Sequence, residues 1–446
     1  TEAKRVEWER KFRYALDDWK LVPGGRIAAG AGASDELTLF NCYVLPSPKD
    51  SRGGIMKTLT DMTEIMARGG GVGLNLSSLR PRRAVVAGVN GSSSGAVSWG
   101  GLYSYTTGLI EQGGCFGPAE RISTDQGLIP AAELADRMLR GERFQAMTHL
   151  GFRKIAHAFR NGVKPLFKVT TSRGFQVEVT ADHKMGVLRH GKLATIPLRE
   201  LKAGDETLTL VQIPSDSLPY VRLQPLQYDR PIMSTRLNEN VRLPEVLDEK
   251  LAYVLGYFFG DGYVHWGKKV NWEAPKAIKL AVADAYPAIQ MRLTEFLRDL
   301  FGVEPVIEAG DGSVKNIAVY SRVLVEWLSA NGLLKQKSDG VRVPEPLFRS
   351  PSTVSGAFIS GYFDADGSDR GSKGGYRFDS VSRGMIHDVQ RLLLANGIVS
   401  HVTETDRSPN GWKTIYRLAV TGAEFKERFS QFAQLALKDK RNPGHR

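Results

Sequence analysis

Cysteine is nearly absent from this chain: Cys42 and Cys115 are the only two in 446 residues. Two thiols exclude a disulfide-stapled scaffold and a cysteine-rich zinc site. They point to a reducing, cytoplasmic setting, and each is available for chemistry because no framework needs it. Long apolar runs are also missing. None reaches the roughly 18 residues needed to cross a bilayer, which argues against a membrane partner. No stretch is low-complexity, and the first residues do not read as a signal peptide.

Acidic charge is in deficit. The chain has 60 Lys and Arg against 48 Asp and Glu, a formal net charge of +12 and a pI near 9.5. Such a surplus favours a polyanionic partner. Residues 1–114 carry 14 basic and 11 acidic side chains, whereas the rest of the chain carries 46 and 37, so most of the surplus falls there. At roughly 150 residues per domain, the length predicts about three domains.

What the chain does have is a repeat. Leu251 to Gly262 reads LAYVLGYFFGDG, and Ser355 to Gly367 reads SGAFISGYFDADG. Each is a short apolar helix pattern ending in an acid and a glycine. Glycine is expected to end a helix by adopting the left-handed conformation. The acid is unexpected, because a carboxylate at the negative end of a helix opposes the macrodipole. Gly256 and Gly260 in one segment, and Gly361 and Ala365 in the other, predict close packing of the two helices. That packing would bring Asp261 and Asp366 together, where a divalent metal would offset their repulsion.

The two segments resemble the duplicated motif of the LAGLIDADG homing endonucleases, with Phe259 standing where the first acid of the motif often sits. The resemblance implies an α+β domain of two pseudo-symmetric repeats over residues 241–446. It also implies Mg²⁺ held by Asp261 and Asp366, and double-stranded DNA as the substrate. The central helices would be Leu251–Phe259 and Ser355–Phe363, with strands at Ala277–Val282, Ile317–Tyr320, Tyr376–Ser380 and Tyr416–Val420. Lys268, Lys269, Lys279, Lys315, Arg377 and Lys413 are candidate DNA contacts. Lys337, and Lys438 or Lys440 for the second half, are candidates for the basic residue that this family often places near each active centre.

Residues 1–114 differ in texture. Glu7–Trp19 reads as an amphipathic helix, Asp61–Arg68 as helix, and Val72–Leu76 as a strand, among many glycines. Pro23–Ile27 (PGGRI), Leu39–Val44 (LFNCYV), Gly69–Pro81, Gly91–Trp99 and Ile110–Gly114 jointly resemble the barrel entry of ribonucleotide reductases, most closely the adenosylcobalamin-dependent class. That implies an α/β barrel fragment, with Cys42 as a redox-active thiol and Asp50 and Arg80 in the effector-nucleotide region. Adenosylcobalamin would belong to the complete reductase. The resemblance stops at Gly114.

From Cys115 to about residue 215, short β-type runs follow at Leu166–Thr171, Phe175–Thr180 and Glu206–Ile213, separated by turn signals. They predict a compact all-β unit. A thiol following Gly114 can attack that residue's carbonyl and form a thioester. His183 can protonate the departing nitrogen, and the Thr180 hydroxyl can polarise the scissile bond. This arrangement resembles the N-terminal splicing (Hint) part of an intein, over residues 115–240, with the scissile bond at Gly114–Cys115. An intein of this kind ends in His-Asn before Cys, Ser or Thr. Here Asn442 precedes Pro443, and His445 precedes Arg446. The expectation is therefore a separate polypeptide carrying the C-terminal splicing segment and the rest of the reductase, as in split inteins, or a truncation. Competing readings are a splicing precursor with an inert nuclease, a DNA-binding module that does not splice, and a reductase subunit needing a partner chain.

Overall fold

The computed structural model describes residues 2–24, 27, 38–86, 88, 90–109, 114–155, 158, 160, 162–189, 191–211, 217–226, 241–269, 272–335 and 340–434. It divides into two units, Thr1–Cys115 and Phe116–Arg446.

In the first unit, helices span Glu2–Leu16, Arg52–Ala67 and Ala96–Leu109. The second begins where Ser51 caps it, the hydroxyl accepting from Gly54 N–H. Cys42–Val44 runs parallel to Gly71–Gly73, with Cys42 opposite Gly71. Ile55, Met62, Leu79 and Tyr103 form a small core.

The second unit starts with β-hairpins. Arg121–Thr124 pairs with Gly127–Pro130, and Gln145–Thr148 with Gly151–Lys154, in one four-stranded sheet. Phe167–Thr170 pairs with Gln176–Val179, and Lys184–Arg189 with both Lys192–Pro197 and Glu206–Thr207. Gly174, in the turn before Gln176, takes a φ of 80°. Only glycine does so without strain. One departure from an all-β segment is the helix Ala131–Leu139. Its AAELADRML sequence combines strong helix formers with an apolar face carrying the buried Leu134 and Ala135.

The remainder is a helix–strand arrangement written twice. The first copy runs α1 (Glu249–Asp261), β1 (Gly262–Lys269), β2 (Trp272–Ala283), α2 (Pro287–Phe301), β3 (Val306–Ala309), β4 (Val314–Val319) and α3 (Arg322–Ala330). The second runs α4 (Ser352–Asp366), β5 (Gly367–Asp369), β6 (Tyr376–Ser380), α5 (Arg383–Ala395), β7 (His401–Thr405), β8 (Ile415–Val420) and α6 (Ala423–Ala433). Both sheets have the same order, β1-β2-β4-β3 and β5-β6-β8-β7, and all neighbours are antiparallel. One apolar core joins the copies through α1 and α4, with Leu251, Phe258, Phe358 and Phe363 fully enclosed. Each such side chain contributes about 1.5–3 kcal/mol.

The hairpin segment docks by charged contacts on the stretch joining the two copies, and by a backbone hydrogen bond on β7 of the second copy. Arg121 donates two hydrogen bonds to Glu345, at 2.8 and 2.5 Å, while its guanidinium lies 3.6 Å from the Phe348 ring centroid. Arg349 reaches back to Glu133. Val402 N–H donates to Arg173 O at 3.0 Å.

Candidate functional site

The site begins with two glycines. A Cβ built on Gly256 would lie 2.8 Å from Tyr362 N and closer still to Phe358 O. A Cβ on Gly361 would lie 2.9 Å from Tyr257 N and closer still to Tyr253 O. The helices therefore meet backbone to backbone, as small residues permit. Near the helix ends, a Cβ on Gly260 would overlap the Ala365 methyl and lie 3.4 Å from the Asp366 carboxylate. Asp261 and Asp366 thus close adjacent helices at one end, and both are exposed.

Gly262 and Gly367 do not adopt the expected left-handed conformation. Their φ values are −100° and −78°, both extended. Glycine is needed for space instead. A Cβ at either place would collide with the helix's own aromatic ring, Phe258 or Phe363. The chain thereby passes straight from helix into β1 or β5, holding each aspartate at the junction.

Three buried or half-buried groups feel both carboxylates. Tyr257 and Tyr362 titrate well above the usual tyrosine range, first through burial and then through the fields of Asp261 and Asp366. Lys335 is half-buried, and burial lowers its pKa against the opposing pull of Asp366 and Asp261. Its ammonium donates to Gly260 O and to Gly262 O, the latter at 3.1 Å. It thereby satisfies carbonyls at the negative end of α1, beside the aspartates. Sequence reasoning missed Lys335, because it lies on a loop outside both repeats and only the fold brings it there. Its nearest clue was the expectation at Lys337, two residues on and outside the described residues, as are Lys438 and Lys440.

Lys335, Gly260, Tyr362, Asp366 and Asp379 line one cleft of about 220 Å³. Among the described residues, no three His, Cys, Asp or Glu side chains gather as a metal site. Two aspartates offer only oxygen donors, which suit a hard cation such as Mg²⁺ that keeps water or phosphate oxygens in its other positions.

The candidate DNA contacts divide. Lys279, 8% exposed, bonds Glu308 at 2.5 Å, a partner it shares with Tyr320. Lys315 pairs with Asp284 at 3.5 Å in solvent. Arg377 is joined to Asp379, as is Arg417, which the sequence reading had not singled out. Lys413 is exposed beyond β7. The side chains of Lys268 and Lys269 lie outside the described residues.

In the hairpin segment, Phe116 bridges to Val179, and Gly117 N–H donates to Glu178 O at 2.7 Å. The Phe116 ring stands edge-on to His183, 4.4 Å between centroids. Thr180, 3% exposed, opens a turn closed by His183 N–H donating to Thr180 O at 3.1 Å. The Thr180 hydroxyl, with further help from Lys164 and Arg199, holds the Asp182 carboxyl below its ordinary pKa. Cys115, half-buried and not in a disulfide, is bonded directly to Phe116. In the first unit, Cys42 is exposed, and Arg80 Nε donates to Asp50 at 2.7 Å.

Residues 353–432 match the family model of a LAGLIDADG-like domain, and residues 40–119 that of the ribonucleotide reductase barrel domain. The chain therefore carries a segment of each kind. Glutamine–fructose-6-phosphate aminotransferase of Methanocaldococcus jannaschii is 23% identical over 301 residues, 65% of this chain and 26% of that protein. The replication factor C small subunit of Thermococcus kodakarensis is 27% identical over 62% of this chain and 27% of its own length. The alpha chain of ribonucleoside-diphosphate reductase NrdEB from Bacillus subtilis is 23% identical over 54% and 20%. The chain thus spans about a quarter of these relatives. Among solved structures, a mesophilic variant of the homing endonuclease I-DmoI is 21% identical, with a TM-score of 0.34 over 43% of this chain and 97% of that one. I-DmoI in complex with DNA and Mn gives 20%, 0.32, 43% and 99%.

Proposed function

We propose that residues 241–446 form a LAGLIDADG-type nuclease domain that cuts both strands of a DNA duplex with Mg²⁺. The observation that carries this reading is the pair Asp261 and Asp366, at equivalent ends of two helices packed through Gly256 and Gly361. Bound Mg²⁺ would supply Lewis-acid activation of the scissile phosphate and of the attacking water. The two carboxylates would hold the cation, and Lys335 would stabilise charge on the phosphate beside them. The test is incubation of the full chain with a plasmid bearing the reductase coding sequence joined across the point where the reductase-like stretch ends. Linear product requiring Mg²⁺, and absent with Asp366→Asn, supports the reading; intact plasmid with the unaltered chain counts against it.

A second activity is proposed for residues 115–240, as the N-terminal splicing part of an intein interrupting a reductase. Its support is the turn from Thr180 to His183 against Phe116, the residue after Cys115. The relatives add to it: their names are functionally unrelated, and a 301-residue match is too long to fit in Thr1–Cys115 alone. A stretch shared by such proteins, and covering a small part of each, behaves as an inserted module. The Cys115 thiol would attack the Gly114 carbonyl carbon. A C–S bond forms, the C–N bond breaks, and the freed amine takes a proton delivered by His183. Completion of splicing would need a C-terminal splicing segment and the remaining reductase sequence; adenosylcobalamin would belong to that complete enzyme. Intact mass after treatment with excess thiol tests the first step: scission at Gly114–Cys115, absent in Cys115→Ala, is expected. An unchanged mass, also after addition of the complementary segment, would overturn it.

A further inference from the structure

The outer face of the second sheet holds an arrangement that general phosphate binding does not explain. In β6 and β8, Phe378 and Leu418 point into the core, so Arg377, Asp379 and Arg417 lie on the opposite face. Asp379 stands opposite Arg417 in the β6–β8 register. Asp379 Oδ1 accepts from Arg377 Nε at 3.0 Å and from Arg417 Nε at 2.9 Å, and Oδ2 accepts from Arg377 Nη2. Burial would raise the Asp379 pKa, but the two guanidinium groups hold it below the ordinary value. One carboxylate therefore fixes two arginines in a common orientation on a partly exposed surface.

We infer that Arg377 and Arg417, oriented by Asp379, read guanine in the major groove, in one half of the DNA site only. This rests on the nuclease reading above and goes beyond it by assigning a base and a half-site. A guanidinium carries five N–H donors. Asp379 takes the Nε–H and one Nη2–H of Arg377, which leaves the end-on pair from Nη1 and Nη2. Arg417 retains four donors. Such a pair matches the O6 and N7 acceptors of guanine, the commonest specific arginine contact. A phosphate anchor would be built differently. A carboxylate beside it repels the phosphate and cancels charge, whereas a base reader gains, because its side-chain entropy is lost before DNA arrives.

The restriction to one half follows from comparing the sheets. Gly262 pairs with Leu280 and Gly367 with Phe378, so Lys279 and Ala281 hold the places of Arg377 and Asp379. The first sheet therefore has no carboxylate at the central position, and its Lys279 reaches across β4 to Glu308 on β3. Asp379 also lines the cleft with Asp366, which places the guanine close to the cut.

The test is selection of bound duplexes from a randomised pool by the full chain, followed by sequencing. The unaltered protein should prefer guanine at one or two positions near the centre of one half by about ten- to hundredfold. Arg417→Lys and Arg377→Lys keep the charge but lose the fork, so that preference should fall below about threefold and affinity for the guanine-bearing duplex should fall with it. Asp379→Asn should lower the guanine preference while holding or raising non-specific affinity, a split that a purely structural role would not produce. Guanine preference unchanged in all three variants overturns the assignment and leaves the nuclease reading standing. Failure of the unaltered chain to retain any duplex removes the nuclease reading and this inference together.

Discussion

Gly256 and Gly361 occupy equivalent positions, and each faces a backbone carbonyl of the other's helix, Phe358 O and Tyr253 O respectively. Neither point therefore has room for a Cβ unless backbone atoms shift. Alanine at Gly361 would gain about 1 kcal/mol of helix propensity. Against that, its methyl must displace backbone atoms, and overpacking of this kind costs about 1–3 kcal/mol. Gly361→Ala is expected to lower stability by up to about 2 kcal/mol net, read as a lower urea midpoint. A raised midpoint would mean that the helices do not meet so closely.

The aspartates make a contrasting prediction. Both are exposed, so replacing them should leave the fold intact. Asp261→Asn and Asp366→Asn should each reduce double-strand cutting by at least about a hundredfold, as loss of a principal charge-stabilising group does. Gel-shift affinity for the same duplex should change by only a few-fold. Variants that cut normally would remove the helix ends from the chemistry.

The helix pair was legible because the repeat spells out apolar spacing, small residues and terminal acids in one short stretch. Strands such as Tyr376–Ser380 were legible through their alternation, and the structure has that strand over the same residues. The reason for Gly262 and Gly367 was not legible, since it lies in the rings of Phe258 and Phe363, one turn back on the same helix. Lys335 was hidden for a related reason: its role comes from two carbonyls more than seventy residues away in sequence. Lys279 read as a free cation because a strand pattern shows which face a residue takes but not that Glu308 waits on that face. The helix Ala131–Leu139 was overlooked among β-type runs, although its composition favours it.

Docking of the hairpin segment should depend on pH through Glu345. Burial acts to raise the pKa of this group, but Arg121 and Arg349 hold it below the ordinary value. A carboxylate depressed in the folded state stabilises the fold above its unfolded pKa of about 4.3, and that contribution is lost as pH falls through the folded value. Glu345→Gln should therefore melt below the unaltered chain at pH 7, with the gap closing at pH 3 to 4. A gap independent of pH would show that the glutamate acts by packing and not by charge.

The splicing site predicts an ordering among variants. Cys115→Ala removes the nucleophile, so thiol-dependent scission should vanish. His183→Ala leaves the nucleophile but removes the proton donor, and should slow scission by about a hundred- to ten-thousandfold. Phe116→Ala keeps both groups but removes the ring that borders His183, so a smaller loss is expected. Equal rates for His183→Ala and the unaltered chain would assign the imidazole to packing against Phe116 alone.

Lys335 separates stability from activity. Burial disfavours its charged form, so Lys335→Met relieves that cost while giving up the bonds to Gly260 O and Gly262 O. These opposing changes should leave stability within about 1 kcal/mol, the scale of a single net hydrogen bond. Cutting is a different matter, because methionine offers no positive charge next to the phosphate that Asp261 and Asp366 would address. A loss of about a hundredfold in cutting rate is expected, with binding little altered. Should Lys335→Met cut at the normal rate and merely melt earlier, the ammonium would be a tether for the end of α1, and charge stabilisation would have to come from elsewhere in the cleft.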